Sequence, residues 1–97
     1  MMKAERVIRE RIVFGDGAIL EMKVWRVPVQ VPGSRHMLKY SLFYGRPGER
    51  LIGYDNERGK GDHRHYGERE EAYAFVSIEQ MLLDFQADVE RLRGERI

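Results

Sequence analysis

The chain has 97 residues, of which 42% are hydrophobic and 34% charged, and its formal net charge is +1. That is material for one small domain, residues 1–97, with a single two-layer core. The absence of cysteine excludes a disulfide framework and a thiolate metal site. No apolar run approaches the ~20 residues that span a bilayer. The opening Met1-Met2-Lys3-Ala4-Glu5-Arg6 lacks the apolar stretch of a secretory signal. These features predict a cytoplasmic protein with no membrane partner. A nearly neutral balance argues against coating nucleic acid by bulk charge, while leaving room for a local basic patch.

Residues 5–14 alternate in part, with Ile8, Ile12 and Phe14 on one face and Glu10 interrupting it, which predicts a strand. Gly15-Asp16-Gly17 then marks a hairpin. Residues 18–28 read as a second strand, with Leu20, Met22 and Val24 opposite Glu21, Lys23 and Trp25, ended by Pro28 and Pro32-Gly33. Residues 36–45 form a third, with Leu38, Tyr40, Leu42 and Tyr44 on one face and Met37, Lys39, Ser41 and Phe43 on the other. Arg46-Pro47-Gly48-Glu49 has the residues of a type II turn. A fourth strand over 50–55 turns Ile52 and Tyr54 inward.

The polar segment 56–71 shows no clear period and reads as a loop; residues 73–76 read as a short strand. Residues 78–93 carry the clearest helix. Ser77 and Gln80 have capping-box spacing, Val76 and Met81 are spaced as a hydrophobic staple, and Gly94 closes the C-terminus. Ile78, Met81, Leu82, Phe85, Val89 and Leu92 make one apolar face. The fold class that follows is α+β, an antiparallel four- to five-stranded sheet with a C-terminal amphipathic helix packed on one face. The other face carries Trp25, Met37 and Phe43 among its charges, and is a candidate surface for a protein partner or a homodimer.

The segment Tyr54-Asp55-Asn56-Glu57-Arg58-Gly59-Lys60-Gly61-Asp62-His63-Arg64-His65 concentrates the chemistry. Glycine admits close backbone approach, histidine moves protons near neutral pH, and lysine and arginine attract phosphate. If the stretch is extended, His63 and His65 project to the same side, about 7 Å apart at Cα. Two imidazoles so placed suit general acid–base work on a phosphate. They equally suit one metal ion, whose third ligand would come from Asp62, Asp55, Glu57 or His36. The bland alternative is a polar turn with two exposed histidines. Arg58-Gly59-Lys60-Gly61 has neither P-loop nor dinucleotide spacing. Asp55 is either turn chemistry or the carboxylate that orients a histidine. Tyr66 offers a ring for base stacking.

Leu42-Phe43-Tyr44-Gly45-Arg46-Pro47-Gly48-Glu49-Arg50, together with the segment 54–65, resembles the TumE family of bacterial type II toxin–antitoxin toxins. The resemblance extends over nearly the whole chain, from Arg11-Ile12-Val13-Phe14 through Trp25-Arg26-Val27-Pro28 to residues 75–92. Tyr54, Asp55, Asn56, Lys60, Asp62, His63 and His65 match its motif. It implies a cognate antitoxin, typically a helix-turn-helix protein, and by analogy with other small toxins an action on RNA or on translation. The expectation drawn from residues and resemblance together is a ribonuclease that needs no metal and no cofactor. His63 and His65 transfer protons, Lys60 steadies phosphate charge, and Asp55 or Asp62 orients a histidine. Arg58, Arg64, Tyr66 and Tyr54 contact the nucleic acid. The alternatives are a non-catalytic module that blocks translation and a metal-dependent hydrolase with His63 and His65 as ligands.

Overall fold

Period-two alternation turns most of the chain into antiparallel sheet. The computed structural model describes residues 3–97. Strands β1 (Glu5–Val13), β2 (Ile19–Arg26), β3 (Leu38–Arg46), β4 (Glu49–Glu57), β5 (Gly61–Tyr66) and β6 (Arg69–Ala72) precede one helix, α1 (Ile78–Arg93). Neighbours in sequence are neighbours in the sheet, in the order β1-β2-β3-β4-β5-β6, and each pair is antiparallel.

The class is α+β as expected, but the sheet has six strands rather than four or five. The difference lies in 56–71, which is not a loop. β4 continues to Glu57, residues 58–60 turn the chain with Gly59 at φ 84°, and β5 and β6 form a second hairpin. These strands lack apolar alternation because polar groups fill their inward positions and are held there by hydrogen bonds. Residues 73–76 form no strand; the Tyr73 N–H only donates to the Asp62 carbonyl, at 3.0 Å.

The core lies between α1 and one face of the sheet. Leu20, Val24, Leu38, Tyr40, Leu42, Tyr44, Ile52 and Tyr54 meet Met81, Phe85 and Val89 there. The Tyr54 and Phe85 rings pack edge to face, with centroids 5.6 Å apart. Tyr54 and Tyr66 both donate to the buried Asp88 carboxylate, at 2.5 and 2.7 Å, and thereby tie β4 and β5 to the helix. Burial and that carboxylate raise the pKa of both phenols, so both stay protonated. The helix begins as predicted, with the Ser77 hydroxyl accepting from the Gln80 N–H at 3.1 Å, and ends at Gly94 in the left-handed region. Val76 is 75% exposed, so the staple does not form, and Leu92 also lies outside the core. No helix among the described residues is long and apolar enough to cross a membrane.

Buried polar contacts fix the end of the sheet nearest the 58–60 turn. Asn56 is fully buried. Its Oδ1 accepts from the Tyr40 N–H at 2.9 Å, and its Nδ2 donates to the Leu38 carbonyl at 2.7 Å and to Ser34 Oγ at 3.1 Å. β3–β4 pairing starts at Ser41↔Asp55, so this side chain replaces ladder bonds that β4 does not supply. Next to it, Asp62 accepts from Ser34 Oγ at 2.6 Å and Tyr40 OH at 2.8 Å and meets His36 Nε2 at 2.6 Å. The 27–37 connection is thereby pinned to β5. Backbone also meets backbone there, since a Cβ on Gly33 would come within 2.7 Å of the Gly61 nitrogen. Asn56→Ala should therefore cost about 2–4 kcal/mol by stranding buried backbone groups. Urea unfolding measures it, and a loss below about 0.5 kcal/mol would show the knot to be dispensable.

Candidate functional site on the open face of the sheet

Alternation along β5 splits the motif between two environments. Asp62, Arg64 and Tyr66 face the same side as their partners Asn56, Tyr54 and Ile52, toward the helix. Gly61, His63 and His65 face the other way, in register with Glu57, Asp55 and Gly53. His63 and His65 thus share a side, as expected, and Asp55 lies directly opposite His63. Their rings stand edge to face with centroids 4.8 Å apart.

Although α1 does not cover this face, His63 is only 3% exposed and His65 only 6%. Asp55 Oδ1 stands 2.5 Å from His63 Nε2 and 3.7 Å from His65 Nε2. His63 Nδ1 donates to the Gly61 carbonyl at 3.0 Å. Because a carbonyl only accepts, Nδ1 carries a hydrogen, and in the neutral ring Nε2 offers a lone pair to the centre. Asp55 Oδ1, His63 Nε2 and His65 Nε2 are buried and make no hydrogen bond within the protein. Burial, and after it the charge of Arg50, lower the pKa of His65, which favours its uncharged ring.

Two residues that the sequence reading did not select complete the surroundings. Arg50 Nη1 lies 4.0 Å from Asp55 Oδ2, which leaves Oδ1 turned toward the histidines. A register shift beyond Tyr44/Gly45 pairs Arg50 with Gly45 and puts Arg50 on the open face; unbroken alternation would have turned it to the helix. Its stem crosses Gly53, where a Cβ would come within 2.6 Å of Arg50 Cδ. Glu70, opposite His65 on β6, places its oxygens 3.9 Å from His63 Nε2 and from His65 Nδ1. Lys60 reaches Glu70 at 3.8 Å and Glu57 at 3.7 Å. The sequence held little sign of either: Arg50 follows a turn, and Glu70 sits in a charged run that reads as solvated.

The other predicted residues lie apart from this centre. Tyr54 is fully buried in the core, so it has no surface to offer a base. Arg64 Nε donates to Glu71 at 2.7 Å, and the Tyr66 hydroxyl is held by Asp88, both on the helix side. Strand parity places all three on the helix side of the sheet, Tyr54 buried and Arg64 and Tyr66 half-buried, away from the histidines. Arg58 is exposed in the 58–60 turn. Asp62 orients a histidine, but it is His36, not His63 or His65. A cleft of about 310 Å³ lined by Gly33, His36, Asp62 and Phe75 shares only Lys60 and Gly61 with the histidine side. On the open face, Trp25 and Phe43 are half-buried, while Met37 is exposed just before β3.

A protein-family model described as Toxin TumE matches residues 2–93. No curated protein and no solved structure matches the chain. The packing of Arg50 over Gly53 carries its own test. Gly53→Ala should drive the guanidinium away from Asp55 while leaving the β4–β5 pairing intact, and a crystal structure of the variant checks it. Arg50 remaining beside Asp55 would show that Gly53 does not set its position.

Proposed function

The chain belongs to the TumE family of toxins, and on that premise we propose that it acts on RNA, at a phosphodiester brought to the open face of the sheet. Membership of a toxin family implies an antitoxin partner. The observation that carries the reading is the convergence of Asp55, His63 and His65, buried and polar, on a face that the fold leaves uncovered. Buried polar atoms without partners are costly to a structure that gains nothing from them.

RNA brings its own nucleophile, the 2′-hydroxyl. A protein that cuts it has to remove that proton, stabilise the charge on the phosphorus oxygens and protonate the departing 5′-oxygen. Asp55, His63 and His65 supply the electron pairs that take the 2′-hydroxyl proton, and returning that proton to the 5′-oxygen balances the step. Arg50 and Lys60, at the border of the centre, and Arg58 in the adjacent turn supply positive charge for the phosphate. In sheet register the centre continues from His63 and Asp55 through Ser41 to Lys23 and Arg9. That row is a path for the next phosphates along a strand.

We place the antitoxin, a helix-turn-helix protein by family analogy, on the same face, where Phe43 lies on β3 beside the centre and Trp25 one strand further, on β2. A partner seated there blocks RNA directly. Contact with one hydrophobic flank and one charged centre would join affinity to inhibition.

Induced expression of the wild type should arrest growth and fragment RNA. His63→Ala and His65→Ala should each lower cleavage by roughly 10²-fold or more while circular dichroism stays unchanged. Folded variants that cut like the wild type would remove the centre from the mechanism. Arrest with intact RNA would move the target away from RNA. In the same cells, Trp25→Ala should escape neutralisation by co-expressed antitoxin, and full rescue would place the antitoxin elsewhere.

A further inference from the structure

We propose that the open-face centre is a binding site for one divalent transition-metal cation of the zinc class, held by Asp55 Oδ1, His63 Nε2 and His65 Nε2. One ligand atom from each residue lies within 4.8 Å of the others, and Asp55 Oδ1 is 2.5 Å from His63 Nε2 and 3.7 Å from His65 Nε2. Ligand atoms around a tetrahedral zinc are about 3.3 Å apart for bonds of about 2.0–2.1 Å. Small rotations of side chains already in place would bring the set to that spacing.

The stronger argument is that these buried atoms have no other partner. His63 Nδ1 donates to the Gly61 carbonyl, which turns Nε2 toward Asp55 Oδ1 across 2.5 Å. A nitrogen and a carboxylate oxygen that close share a proton or a cation. One proton on His63 Nε2 would satisfy that pair and still leave buried His65 Nε2 without a partner. A single cation bonded to all three atoms satisfies the whole set.

The surroundings are those of a metal site. His63 is oriented through its far nitrogen by a backbone carbonyl, the usual second contact of a ligating imidazole. Glu70 stands on the Nδ1 side of His65 at 3.9 Å. Asp55 keeps Oδ2 toward Arg50, so it offers one oxygen rather than two. Two imidazoles and one carboxylate suit zinc and its neighbours rather than magnesium or calcium, which prefer oxygen alone. Three protein ligands leave a coordination position open, as catalytic zinc sites do.

The site uses the centre on which the toxin reading rests, but it is measured without RNA or antitoxin, so either can fail alone. Protein stripped with a chelator is titrated with Zn²⁺ against a chromophoric competitor, and with Co²⁺ by visible absorption. The expected result is one ion per chain and cobalt bands of a four- or five-coordinate site. Asp55→Asn, His63→Gln and His65→Gln should each weaken Zn²⁺ binding by roughly 100-fold or more. Exposed Glu68→Gln should leave it unchanged. Metal-free circular dichroism separates a lost ligand from a lost fold. Wild-type protein that binds neither ion more tightly than about 100 µM overturns the site. So does Zn²⁺ binding that folded ligand variants retain in full.

Discussion

Slide β5 by one residue against β4 and the centre disappears: His63 and His65 would turn into the helix-side core, and Asp62 and Arg64 would face outward. The pairing of Asp55 opposite His63 is the constraint on which the rest depends, because side chains on a strand have period two. Two sets of contacts on the helix-facing side hold that register. On the helix side, Tyr54 from β4 and Tyr66 from β5 share the Asp88 carboxylate. At the strand ends, Asn56 and Asp62 stand opposite each other, and both bond to Ser34. The open-face centre is therefore positioned by groups it never touches.

That arrangement gives the conspicuous motif two tasks. Its odd-numbered members, Asp55, His63 and His65, face outward and carry the chemistry proposed here. Its even-numbered members, Tyr54, Asn56, Asp62 and Arg64, face the helix and build the support. Arg50, although even-numbered, joins the outward set. It reaches the centre because the register shift turns it outward and because Gly53 leaves room for its stem.

Much of this was legible in the sequence, and the parts that were not have physical reasons. The first four strands and the helix follow from apolar periodicity, and Ser77 and Gly94 cap the helix where their residue types place them. β5 and β6 escaped that reading because polar side chains fill their inward positions; Arg64 is held by Glu71 and Tyr66 by Asp88. A search for alternating hydrophobicity cannot see a strand whose inner face is satisfied by hydrogen bonds. The same-side projection of His63 and His65 followed from strand geometry, while residue chemistry left Asp55 as one candidate companion beside Asp62, Glu57 and His36. Parity along β4 and β5 puts Tyr54, Arg64 and Tyr66 on the side opposite Asp55, His63 and His65. Arg50 and Glu70 needed the three-dimensional register, since one depends on a bulge and the other on a strand that sequence periodicity does not reveal.

The most direct test of the central claim, that function resides on the odd-numbered face, is NMR of the protein with a 2′-O-methyl RNA that cannot be cut. Side-chain signals of Arg50, His63 and His65 should shift on titration, while those of His36 and Arg64 stay in place. Shifts confined to His36, Arg64 or the helix would put the RNA on the other side of the sheet and contradict the account.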